Sequence, residues 1–196
     1  MKAIIETKEK RIYVYLPIEV EILNDILQEL DGQSTMQVRV GNLRKETLLP
    51  TLTDMKMTLM TTDIFKLNRF AELVESLDDM EAVALDCLLY QEIINGFDEI
   101  MDTIPELDKV PIWYCHDNRE MIKFVAEEGL LPGITYYDEA LQSLLDAEQV
   151  CEYLAYYRGG MLMHARFYCE PFRFLDFKKQ QEEETESDAM KMGGMT

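Results

Sequence analysis

Residues 69–148 carry 20 acidic side chains and only 4 basic ones. Ionised carboxylates are costly to take out of water. Whatever this segment forms must therefore turn its acids outward, and its apolar residues must repeat at the spacing of elements with one wet face. The flanks are close to neutral, with 10 acids and 9 bases in residues 1–68 and 8 acids and 6 bases in residues 149–196. The formal charge of −19 over 196 residues is thus mostly the property of one segment. Charge serving solubility alone has no reason to concentrate in this way. The distribution points to a surface that meets a basic partner. A field of this sign repels nucleic acid and anionic membrane, so both are excluded as direct partners on this reading.

The apolar pattern predicts a mixed, α+β fold. Residues 11–16 (RIYVYL) are β-branched and aromatic and read as a strand ended by Pro17. Leu23, Ile26, Leu27 and Leu30 recur at helical spacing within 18–31, with Gly32 as the stop. Residues 36–40 alternate as a half-buried strand does, and 55–60 form a third. This predicts a three-stranded sheet with one helix. Asp63 is the expected cap of a helix facing inward through Leu67, Phe70, Val74 and Leu77. Asp78 or Asp79 caps the next, with Ala82, Leu85, Leu89 and Ile93 inward and Gly96 closing it. A short helix at 97–104 ends before Pro105. Then follow a strand over 110–115, helices over 118–128, 137–144 and 146–157, the break Gly159-Gly160, and a strand over 161–168. The divisions expected are an N-terminal α+β part (1–64), a central acidic helical part (65–108), a C-terminal α+β part (109–177) and a disordered tail (178–196). The aromatic run Tyr153, Leu154, Tyr156, Tyr157 suits a core or an interface, with core favoured.

On this reading the acids available to a partner are Glu72, Glu75, Asp78, Asp79, Glu81, Asp86, Glu92, Asp98, Glu99, Asp102, Glu106, Asp108, Asp138, Glu139, Asp146 and Glu148. Acids three or four apart on a helix rising 1.5 Å per residue give about one charge per 5 Å. Two such faces side by side approach about one per 2.5 Å, comparable with the roughly 1.7 Å of duplex DNA. Such a surface can enter a basic DNA-binding groove.

Signals of catalysis or cofactor binding are missing from the sequence. His116 and His164 have no ligand partner at helical spacing, so no metal is expected. Cys115 and His116, adjacent in an extended segment, point different ways and make a poor nucleophile–base pair. No glycine-rich phosphate loop and no nucleophile elbow is present. The expectation is a binding protein, with no catalytic residues and no cofactor. Cys87, Cys115, Cys151 and Cys169 are widely spaced, and the start lacks an export signal, so reduced thiols in a cytoplasm are expected.

Four segments carry a family resemblance. They are Leu67-Asn68-Arg69-Phe70-Ala71-Glu72-Leu73-Val74-Glu75-Ser76-Leu77-Asp78, Phe124-Val125-Ala126-Glu127-Glu128-Gly129, Leu144-Leu145-Asp146-Ala147-Glu148, and Gly159-Gly160 before a closing strand. In this order the chain resembles the ArdA-type antirestriction proteins of mobile elements in Gram-positive gut bacteria. The third segment is similar to the core of the antirestriction motif, through Leu144, Leu145, Asp146 and Glu148. Cys151-Glu152 stand where relatives place a Gly-Arg or Ala-Arg pair, and Glu128 where they place Asn. The resemblance implies an elongated three-part homodimer that mimics bent B-form DNA and inhibits type I restriction–modification enzymes. The alternative is an acidic adaptor in conjugation or plasmid maintenance, binding a basic protein that is not a DNA enzyme.

Overall fold

The computed structural model describes residues 1–30, 34–44, 46–132, 139–164 and 166–180. The fold is α+β, and the chain divides into two compact units, Met1–Leu107 and Asp108–Thr196.

Unit 1 is built on an antiparallel sheet of four strands, β1 (Lys2–Glu6), β2 (Arg11–Tyr15), β3 (Thr35–Gly41) and β4 (Lys56–Met60), in the order β2-β1-β3-β4. The first strand is one more than the three expected. Its Ala3 and Ile5 are fully buried, while Lys2, Ile4 and Glu6 lie on the other face. The alternation continues through Val14, then Met36, Val38 and Val40, then Met57 and Leu59. The sheet thus has one dry and one wet face, as a half-covered antiparallel sheet does.

Helices supply the rest of the core. They are α1 (Val20–Glu29), the short α2 (Pro50–Asp54), α3 (Ile64–Ser76), α4 (Asp79–Tyr90) and α5 (Phe97–Thr103). In α1, Leu23 is buried, as is Leu30 just beyond its end, and Ile26 and Leu27 are half-buried. The expected stop, Gly32, lies outside the described residues. The expected inward residues of α3, namely Leu67, Phe70, Val74 and Leu77, are all buried. Burial of that kind contributes about 1.5–3 kcal/mol for each large aliphatic or aromatic side chain. Asp63 stands at the N-cap position of α3 without capping it. Its Oδ2 instead accepts the backbone N–H of Met60, because a single turn of 3-10 helix (Thr61–Asp63) runs directly into α3. Asp78 does cap α4, in a reciprocal box with Glu81 in which each carboxylate accepts the other's backbone N–H at 2.8 Å. Helix α4 is buried from Ala82 to Leu89 without interruption. It ends at Tyr90, so the expected inward Ile93 lies beyond it and is half-buried, while Ile94 is buried. Helices α3 to α5 share one compact unit with the sheet.

Unit 2 contains the sheet β5 (Ile112–Tyr114), β6 (Met161–Met163) and β7 (Phe167–Cys169), ordered β5-β7-β6 and antiparallel. With it are α6 (Asn118–Glu127), α7 (Glu139–Gln142), α8 (Ala147–Arg158) and a helical stretch at residues 171–180. The single strand expected over 161–168 is a hairpin, turning at His164, whose φ of 51° is left-handed. Residues 178–180, expected in the tail, are helical, and 181–196 lie outside the described residues. The core gathers Cys115, Met121, Ile122, Val125, Leu131, Val150, Leu154 and Tyr168. Trp113 packs on it, 5.1 Å from the Phe124 ring and 5.7 Å from that of Tyr168. Helix α8 stops at Gly159, left-handed at φ 62°. At Gly160 a Cβ would lie 2.2 Å from the Tyr168 hydroxyl, so no other residue fits.

No helix of the described residues is long and apolar enough to cross a membrane.

Candidate acidic interface

In unit 1 the charges are separated along the chain. Between Arg69 and Lys109 there is no lysine or arginine, and the interval holds 12 acids, all but Asp108 in unit 1. The apolar residues of α3, α4 and α5 point into the core, and apart from Asn68, Asp86 and Thr103 the polar positions lie outside or at its margin. Glu72, Asp78, Asp79, Glu92, Asp98, Glu99 and Asp102 are exposed, and Glu75, Glu81 and Glu106 are half-exposed. Asp98 and Glu99 occupy the first turn of α5, where the helix dipole favours negative charge. Asp102 follows one turn later.

The exposed acids are not alike. Glu72 is bound by Arg69 at 2.9 Å, and Asp98 is approached by Lys66 at 3.4 Å. Both pairs are solvated and contribute little to stability. Glu99 accepts the Asn95 backbone N–H at 2.6 Å, and Glu75 holds the N-terminal ammonium of Met1. Asp78 and Glu81 form the cap of α4. These carboxylates serve the fold while keeping their negative charge at the surface.

Asp86 departs from the expectation. The sequence counts it among the acids available to a partner, yet it is buried, with 1% exposure. Its Oδ1 accepts the backbone N–H of Thr51 at 2.8 Å. Thr51 lies in the first turn of α2, whose own N-cap residue, Leu49, has no side-chain acceptor. Asp86 therefore caps a neighbouring helix from a distance and is not available to a partner.

In unit 2, Asp108, Asp146 and Glu148 are exposed. Asp108 contacts Lys109 at 2.5 Å. Asp146 caps α8, accepting the backbone N–H groups of Glu148 and Gln149 at 2.9 and 3.1 Å. Glu139 belongs to α7, but its side chain, like all of Asp138, lies outside the described residues. Of the motif residues, Leu144 is 80% exposed and Leu145 packs against the core. Tyr156 and Tyr157 are 82% and 66% exposed. The core preference is thus corrected for these two. Helix α8 turns Val150 and Leu154, one turn apart, into the core and leaves these two rings outside it.

A cavity of about 980 Å³ in unit 2 is lined by His116, Asp117, Arg119, Glu120, Lys123 and Asp146 among others. The N-termini of α6 and α8 both reach it. Each is already closed by its own aspartate, since Asp117 accepts from Glu120 N–H at 2.8 Å as Asp146 does for α8. The neighbouring Cys115 thiol is turned into the core, and burial pushes it up to about 11. It stays protonated at neutral pH and is a poor nucleophile. Among the described residues, no group of three or more His, Cys, Asp or Glu side chains is arranged to hold a metal ion.

The most strongly held carboxylate of unit 2 is Glu170, fully buried behind β7. Arg158 donates to it through Nε at 2.7 Å and Nη2 at 3.4 Å, Arg173 through Nη1 at 2.8 Å, and the Tyr168 hydroxyl at 2.8 Å. Burial alone raises a carboxyl pKa. Here the hydrogen bonds from Arg158, Arg173 and Tyr168 outweigh it and hold the group below its ordinary value. Burial and the charge of Glu170 together push the Tyr168 hydroxyl upward.

No family model, no curated protein and no solved structure matches the chain.

Proposed function

We propose that this protein is a DNA mimic of the antirestriction type, acting in the cytoplasm by occupying the DNA groove of a type I restriction–modification enzyme. The observation that carries this reading is the interval from Arg69 to Lys109, whose 12 acids stand without an intervening cation. Seven of those in unit 1 are exposed on or beside three successive helices. A basic groove that neutralises phosphates meets the same sign and a comparable density of charge on such a surface. Asp108, Asp146 and Glu148 add to the acids offered by unit 2, and Asp86 does not take part. The resemblance in the four segments named above supports the same reading. The mechanism is occupancy: no bond is made or broken, no cofactor is required, and affinity is spread over many weak contacts. The exposed Tyr156 and Tyr157 supply aromatic area suited to contact between protomers of a homodimer.

The test is to titrate a type I restriction–modification enzyme with the protein at low salt, following DNA binding and methylation. The expected outcome is inhibition that excess DNA relieves and that salt weakens. Binding to the enzyme without displacement of DNA would instead favour the acidic adaptor.

A further inference from the structure

The wet face of the unit 1 sheet is the chemical opposite of the helices beside it. Its side chains fall in rows fixed by the strand register. One row is Tyr15, Lys2 and Gly41, the next Tyr13, Ile4, Arg39 and Lys56, and the third Arg11, Glu6, Gln37 and Thr58. Four cations thus meet one acid, and Arg11 takes that acid in an ion pair of 2.6 Å. Tyr13 and Tyr15 are 52% and 63% exposed. We propose that this face binds single-stranded nucleic acid, stacking bases on Tyr13 and Tyr15 and drawing phosphates to Lys2, Arg39 and Lys56.

Three features carry the assignment. The two rings are two residues apart on one strand, so they stand about 7 Å apart on the same face. That separation suits two successive unpaired bases in an extended strand. Four-stranded sheets with exposed aromatic residues stack about two or three bases in this manner. The Lys2 ammonium lies over both rings, 4.6 Å from the Tyr13 centroid and 5.8 Å from that of Tyr15, so a base stacking there would displace it toward the phosphate that joins the two nucleotides. Third, Arg39 and Lys56 are direct cross-strand partners. Like charges placed opposite each other destabilise a sheet. A lysine on the edge strand discourages sheet-to-sheet pairing, but that does not account for Arg39 on the inner strand beside it. A polyanion lying across the pair would.

The net charge of −19 does not forbid this. Screening acts over about 8 Å at physiological salt, so a local patch of cations is felt by a ligand in contact with it. An acidic peptide would satisfy the cations but offer nothing planar to the rings, and a duplex keeps its bases stacked internally. The proposal is independent of the DNA-mimic reading, because it uses none of the acids on which that reading stands.

The experiment is fluorescence anisotropy of a labelled oligothymidylate of about ten nucleotides with the full chain at low salt. Saturable binding is expected, with log K falling against log salt at a slope of about −2 for three phosphates. Tyr13→Ala/Tyr15→Ala should weaken binding roughly tenfold or more, and Tyr13→Phe/Tyr15→Phe should restore it. Arg39→Gln/Lys56→Gln should weaken binding and flatten the slope. All four side chains are exposed, so circular dichroism should show these variants folded. Absence of binding at low salt would overturn the proposal. So would binding indifferent to the alanine pair, or equal binding of a duplex or of polyglutamate.

Discussion

The two units treat a buried carboxylate in opposite ways. In unit 2, Glu170 is met by two arginines and a tyrosine, and the cations of that region are turned onto an acid of the fold. In unit 1, Asp86 is met by a backbone N–H of α2, and the cations of α3, Lys66 and Arg69, reach exposed acids at the surface. Unit 2 thus turns two cations onto one buried acid of the fold, whereas in unit 1 the exposed acids of α3 to α5 outnumber the two cations beside them, Lys66 and Arg69, and four further cations stand on the sheet. A surface meant to act at a distance needs the second arrangement, because neighbouring opposite charges cancel each other's field.

The comparison can be broken most sharply at Glu170. Glu170→Ala leaves Arg158 and Arg173 facing a void. Since both guanidinium groups are partly exposed, the loss should be near the low end for a broken buried pair, about 3 kcal/mol, seen as a lowered midpoint in urea unfolding. A midpoint unchanged within error would show that the network contributes nothing. Next in size is the combined neutralisation Glu72→Gln, Asp79→Asn, Asp98→Asn, Glu99→Gln and Asp102→Asn. At roughly 0.5 kcal/mol for each exposed contact, inhibition of the target enzyme should fall by roughly 10²-fold. Glu99 also accepts a backbone N–H, so thermal melting must accompany this test. Little loss of inhibition would remove the acidic helices from the mechanism.

Asp86→Ala should cost about 1–3 kcal/mol through the stranded Thr51 N–H, with Asp86→Asn retaining most of it, since an amide oxygen also accepts. Inhibition per folded molecule should not change. Glu170 also sets an acid limit. Its folded pKa lies below its ordinary value of 4.5, so its contribution is complete above that pH and is lost as pH falls through the lowered value. Wild-type melting temperature should therefore fall more steeply than that of Glu170→Gln between about pH 5 and pH 3. Parallel curves would remove Glu170 from the acid response. The smallest effect is that of Asp102→Asn alone, within about 0.5 kcal/mol in stability and a few-fold in inhibition.

Much of this fold is legible in the sequence where one side of an element is wet. Strands β2, β3 and β4 and helices α1 and α3 announce themselves by alternation or helical spacing, and Asp78 with Glu81 announces the start of α4. The reading fails where that contrast vanishes. Helix α4 is dry almost all round, so its periodicity does not say which way Asp86 faces. Strand β1 is five residues with charges at both ends, and its identity as a strand depends on pairing with β2 and β3 on both sides. The hairpin at 161–169 turns through His164, with none of the Asn-Gly or Asp-Gly signals that mark such turns in a sequence. The cation-rich sheet face was hidden for a related reason, since Lys2, Arg39 and Lys56 are far apart in the chain and only the register assembles them.

The dryness of α4 has a consequence for how the molecule breathes. A helix enclosed from Ala82 to Leu89 offers solvent no face from which to peel it away. Its amide protons should exchange with deuterated water only when unit 1 unfolds as a whole, whereas those of the shorter α5, which carries exposed Asp98, Glu99 and Asp102, exchange through local opening. The exposed acids of α5 would then be free to adjust their positions while α4 holds still.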